Sequence, residues 1–183
     1  RCKIDILSLF IDRVNIKEEC RMFLYHYLSF SQESDVYNSP SKALNEGLNK
    51  NSVTGYYTNG GKLFPEVTER LRPQHIESWV DFKNAFGAEF EEPSTPYLKF
   101  PLFTDKIFVF NRDLTSDLFA YKEQQYMQQE TGEGYFTVGL PSKEDLVKRY
   151  WQSMLTIDEY LTYKPYDNAE ILIFTPVPPE LLE

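Results

Sequence analysis

The sequence predicts an α+β fold: a single domain with N-terminal helices followed by a mixed sheet with interleaved helices. Three observations lead there. The first thirty residues place apolar side chains at helical spacing, short bulky apolar runs appear only later, and no repeat or linker divides the chain. At 183 residues the chain fits one core, which at this size buries about 70% of the surface of the unfolded chain and needs no staple. The chain opens on Arg1 rather than Met, as a fragment or processed piece would.

The elements follow in order. Ile4, Leu7, Phe10, Ile11 and Val14 share one helical face, and Cys20, Phe23, Leu24, Tyr27 and Leu28 define a second helix over 17–30. Residues 31–62 lose this periodicity and carry turn chemistry, with TNGGK (Thr58–Lys62) reading as a tight hairpin turn. Ile76–Phe86 has Trp79, Phe82 and Phe86 at spacings that predict a short helix, and FEEPSTPYLKFP reads as extended. Lys106–Phe110 (KIFVF) is a compact apolar run bounded by polar residues, hence a buried strand. Thr115–Glu130 predicts a helix whose second half, KEQQYMQQE, is solvated. The stretch 134–139 between glycine-rich turns predicts a strand. Ser142 with Asp145, and Thr156 with Glu159, mark two further helix starts. AEILIFT (Ala169–Thr175) is the strongest strand pattern, expected in one sheet with 106–110 and 134–139.

Composition narrows the function classes. A net charge of −9, from 28 acidic and 19 basic residues, disfavours nucleic acid and favours a macromolecular acceptor or protein partner with a basic surface. Cys2 and Cys20 form neither a disulfide framework nor a zinc pattern with His26 and His75, so no metal is expected. No apolar run is long enough to span a membrane, and the expected location is cytoplasmic. The aromatic share of 16% suits a thick core or a stacking pocket.

Phosphate loops, dinucleotide fingerprints and hydrolase elbows are all missing. Arg70 and Arg72 read as helix-end charge or as a phosphate clamp. His26, within YHY, is either a helix-edge residue or a hydrogen-bonding partner in a nucleotide pocket. Glu170 begins the AEILIFT strand, and alternation places it on the face of Leu172 and Phe174. A carboxylate there either wets the strand end or marks a site.

The stretch KRYWQSMLTIDEYLTYKPYDNAEILIFTPVPPELL resembles the last segment of ADP-ribosyltransferase-fold proteins, particularly the DarT-like DNA-modifying toxins. In that group an aromatic, basic helix leads through a loop to a strand of the form AEhLh and a proline turn. The resemblance covers about a fifth of the chain. It implies an ADP-ribosyltransferase-like fold, NAD as co-substrate and a toxin or defence role. Glu170 is then the catalytic glutamate, while the match of LYHY to the family's first strand makes His26 and Tyr27 cofactor-binding. The alternative from another class is a non-enzymatic acidic binding protein, of immunity or inhibitor type, that masks a basic partner.

Overall fold

The computed structural model describes residues 22–27, 40–50, 52, 59–132, 134 and 136–183, and the mixed α+β class holds across them. A two-stranded sheet joins β1 (Phe23–Tyr27) to β3 (Tyr97–Pro101), with Leu24 opposite Phe100 and His26 opposite Leu98. A four-stranded sheet has the order β2 (Phe86–Ala88), β6 (Ala169–Ile173), β4 (Ile107–Asn111), β5 (Leu155–Thr156). The bridge between Tyr25 and Glu89, with amide–carbonyl hydrogen bonds of 3.0 and 2.8 Å, carries β1 onto the end of β2. The two sheets therefore continue one another.

Each face of this surface has its own core. On one side Leu24, Leu98, Phe86, Val109, Ile171 and Ile173 pack together. Ile157 and Tyr160 of α6 (Ile157–Tyr163) join them, and Leu182 beside a closing 3₁₀ turn (Pro179–Leu181) completes the layer. Ala43 of α1 (Pro40–Glu46) belongs to the same layer. On the other side Phe110 and Leu172 meet the helices α2 (Gly60–Leu63), α3 (Pro65–Arg70), α4 (Arg112–Thr131) and α5 (Lys143–Gln152). The two cores follow from strict alternation in β6, where successive side chains take opposite faces.

Local chemistry explains the helix starts. Ser142 accepts the amide of Asp145 at α5, and Thr156 with Glu159 completes a reciprocal capping box at α6. Gly132, with φ 74°, ends α4 in the left-handed conformation that glycine tolerates best. The second half of α4 is solvated, as its sequence implies.

Several sequence expectations are corrected. The helix expected over 4–14 lies outside the described residues. Of the helix expected over 17–30, residues 23–27 form a strand, because Leu24 and His26 bury against β3 while their neighbours stay half-buried. Of the helix expected over Ile76–Phe86, residues 76–85 are a chain of turns, with i to i+3 hydrogen bonds from Val80 to Glu77 and from Ala85 to Phe82, and Phe86 begins β2. The Arg72 guanidinium collects the carbonyls of Glu77 and Val80, and Phe86 passes to the opposite core. Residues 136–139 are turn rather than strand, tied back where the Thr137 hydroxyl donates to Gln124 of α4 at 2.7 Å. Within TNGGK, Thr58 lies outside the described residues and residues 59–62 open a helix instead of a hairpin. The Asn59 side chain accepts the Lys62 amide as its N-cap, and both glycines are there for space.

Candidate functional site

Strand register decides which side chains meet. Phe86 pairs with Ile173 and Ala88 with Ile171, and continuing that register one residue sets Glu89 alongside Glu170. Across β6, Glu170 pairs with Phe110. Tyr25, Glu89, Glu170 and Phe110 thus form one row across the sheet. The neighbouring row on the same face is Tyr27, Gly87, Leu172 and Phe108. Paired residues in antiparallel strands share a face, so Tyr27 and Glu170 look the same way.

His26 looks the other way. Its ring sits edge-on to Phe86 at 6.1 Å, and its Nδ1 lies 2.8 Å from the Gly87 carbonyl. The ring is 3% exposed, and Nε2 has no hydrogen-bond partner among the described residues. Burial pushes its pKa below 6.5, against an opposing contribution from the Gly87 carbonyl. The structure therefore brings Tyr27 and Glu170 to one face and leaves His26 on the opposite one.

Glu170 is 1% exposed, so it does not merely wet the end of β6. Its Oε2 accepts the Tyr150 hydroxyl at 2.5 Å and the Thr115 hydroxyl at 2.9 Å. Both donors come from helices laid over this face, α5 and α4. Charge-assisted hydrogen bonds of this kind offset the large cost of taking a carboxylate out of water. Stacking fixes the Tyr150 ring: Phe110 lies parallel to it at 4.8 Å and Phe82 tilts against it at 5.6 Å.

α2 closes the space above. A side chain at Gly60 would begin 2.6 Å from the Tyr150 ring and 2.9 Å from the Thr115 hydroxyl, so only hydrogen fits. A side chain at Gly61 would overlap the Phe82 ring in the same way. This close approach carries Lys62 to the site, where its ammonium donates to the Ala85 carbonyl at 2.9 Å. Burial lowers the Lys62 pKa, while the negative charges of Asp81 and Glu170 hold it up. Sequence inspection passed over Lys62, Thr115 and Tyr150. The one signal available was the paired glycine before a lysine.

The first turn of α4 serves the same row. Arg112 pairs with Glu89 at 2.8 Å, which neutralises the carboxylate lying next to Glu170. Tyr27 stands beside this pair. Burial raises its phenol, Arg112 opposes that and Glu89 adds to it. Arg70 and Arg72 prove to be helix-end charges, paired with Glu144 and Glu69. Among the described residues no group of three or more metal-binding side chains gathers, and no helix is long and apolar enough to cross a membrane.

Comparison with protein-family models, curated proteins and solved structures returns no match.

Proposed function

We propose that the chain is an NAD-dependent ADP-ribosyltransferase of toxin or defence type, with Glu170 as its charge-stabilising carboxylate. One observation carries the reading. Hydroxyls from α4 and α5 and the charge of Lys62 converge on Glu170, on the sheet face that also holds Tyr27. Buried ionisable groups held by specific partners cluster at functional sites, because an apolar replacement would otherwise serve the core as well.

The chemistry assigned to this row is substitution at the nicotinamide ribose. The bond between C1′ and the nicotinamide nitrogen breaks, and nicotinamide leaves with the electron pair. The acceptor nucleophile forms the new bond at C1′ and gives up its proton. Positive charge develops on the ribose as the bond breaks, and a fixed carboxylate lowers the energy of that state. Tyr27 supplies an aromatic face for the nicotinamide ring. To reach a ribose hydroxyl, Glu170 has to accept the substrate's hydroxyl in place of an internal donor such as Thr115 or Tyr150. His26, on the far face, has no role in this reaction.

A second reading has its own supporting observation. The Glu170 carboxylate is buried and bonded internally, as it would be in a non-enzymatic protein whose net charge of −9 serves to mask a basic partner. Calorimetric titration of the intact chain with NAD separates the two. The transferase reading expects saturable binding, followed by label transfer from NAD to an acceptor in a lysate. Glu170→Gln should then reduce turnover on the order of 10²–10³-fold while NAD affinity changes far less. Absence of NAD binding by the intact chain would end this proposal in favour of the acidic binding protein.

A further inference from the structure

The two sheets meet along a narrow seam, and the His26 side chain closes it. Tyr25 of β1 and Glu89, just past β2, exchange both main-chain hydrogen bonds, and among the described residues this is the one bridge between those strands. Gly87, two residues before Glu89, turns its carbonyl to the same edge. That carbonyl accepts from His26 Nδ1 at 2.8 Å. A carbonyl can only accept, so the neutral ring carries its hydrogen on Nδ1 and leaves Nε2 as a bare acceptor. Nε2 is buried and has no partner among the described residues.

The ring faces an apolar layer. Leu98 lies opposite it on β3, Phe86 stands edge-on at 6.1 Å, and Ala88 belongs to the same core. The helices turn apolar or phenolic side chains to that core, Ala43 from α1 and Ile157 and Tyr160 from α6. The hydroxyls of Tyr160 and Tyr166 donate to the carbonyls of Tyr166 and Ser153. The charged residues of the strands, Glu89, Lys99 and Glu170, alternate onto the other face, where Arg112 also pairs with Glu89. A second N–H and a full charge on the ring would therefore find neither acceptor nor counter-charge in this layer among the described residues.

We propose that His26 is an acid-sensitive latch: when its ring takes up a proton, the seam opens between Tyr25 and Glu89 while the four-stranded sheet stays closed. Opening wets Nε2 and gives up one bridge and the ring's own bond. Parting β4 from β6 would break a ladder of five residue pairs, so the seam yields first. Tyr25 and Tyr27 ride on β1, and opening draws both off the face that holds Glu170. The latch stands whether or not that row binds NAD.

Amide hydrogen exchange of the full chain reads the seam directly, resolved by residue at pH 7.5 and pH 5 and corrected for the intrinsic pH dependence of exchange. A wetted imidazole titrates near 6.5, so with the closed ring excluding the proton the open fraction should rise by about 30-fold between the two conditions. The Tyr25 and Glu89 amides should lose protection by that factor, and the amides of β4 and β6 should keep theirs. His26→Phe should hold its protection at both pH values. His26→Gln, which keeps a donor for the Gly87 carbonyl without a titrating ring, should do the same and serves if the phenylalanine variant does not fold. Unchanged protection at Tyr25 and Glu89 in wild type would overturn the inference on its own. So would a loss shared equally by β4 and β6, which is global unfolding, or a loss that either variant reproduces.

Discussion

Gly60→Ala tests whether the packing of α2 holds the Glu170 network together. Alanine is ordinarily the better helix residue by about 0.5–1 kcal/mol, so propensity alone predicts a gain. The structure predicts a loss. The added methyl would stand 2.6 and 2.8 Å from two Tyr150 ring carbons and 2.9 Å from the Thr115 hydroxyl, where carbon contacts need about 3.5–4.0 Å. The ring has little room to retreat between Phe110 and Phe82. Overpacking of this kind costs about 1–3 kcal/mol, and displacing a hydroxyl from a buried carboxylate costs about 1.5–3 kcal/mol more. Net of the helix gain, the variant should lose about 1.5–5.5 kcal/mol, or about 3–22 °C of melting temperature for a chain of this size. Thermal and denaturant unfolding of wild type, Gly60→Ala, Tyr150→Phe and the double variant form the assay. With the phenol already removed, the methyl has less to disrupt, so the double variant should lose less than the sum. Strict additivity, or a melting temperature that rises in Gly60→Ala, would refute the account.

Two further predictions concern the opposite face of the sheet. Burial lowers the His26 pKa, so as pH falls through 6.5 the unfolded chain takes up a proton that the folded chain still refuses. Stability from the neutral ring is complete above that pH and declines below it; His26→Phe should therefore lose less stability than wild type between pH 7.5 and 5.5, and parallel losses in denaturant titrations would count against the burial argument. At α6, Thr156→Ala removes the side-chain half of the capping box, leaving the residue-156 amide to donate to Glu159, and should cost about 1 kcal/mol, read as a fall of roughly 2–4 °C in calorimetry; an unchanged midpoint would mean that the Thr156 hydroxyl does not hold the helix start.

Much of the second half of the chain was legible because its signals are local. The caps at Ser142 and Thr156 need only residues three positions apart, and both helices start there. The strands Ile107–Asn111 and Ala169–Ile173 are short bulky runs whose neighbours break the pattern, and they pair in one sheet as expected. Where two readings shared the same apolar spacing, local information ran out. Phe23, Leu24 and Tyr27 fit a helix face and an alternating strand alike, and β3, more than seventy residues away, settles the matter by pairing. Trp79 and Phe82 keep their inward direction without a helix, because the Arg72 guanidinium satisfies the carbonyls that helical hydrogen bonds would have used. At 134–139 the glycines end the pattern on both sides, and a hydrogen bond to α4 takes the place of a partner strand.

The candidate site divides along the same line. Alternation within AEILIFT by itself determined that Glu170 shares a face with Leu172 and Phe174, since that depends on the period of a strand and on nothing distant. Composition determined the acidic balance, and the order of helical and strand-like apolar patterns determined the mixed class. Only the tertiary structure decided that the carboxylate is buried, that Thr115, Tyr150 and Lys62 meet at it, and that Tyr27 rather than His26 shares its face. Those contacts join residues separated by 20 to more than 100 positions. They depend on register between strands and on the hydrogen-only gap at Gly60, neither of which leaves a periodic trace in the chain.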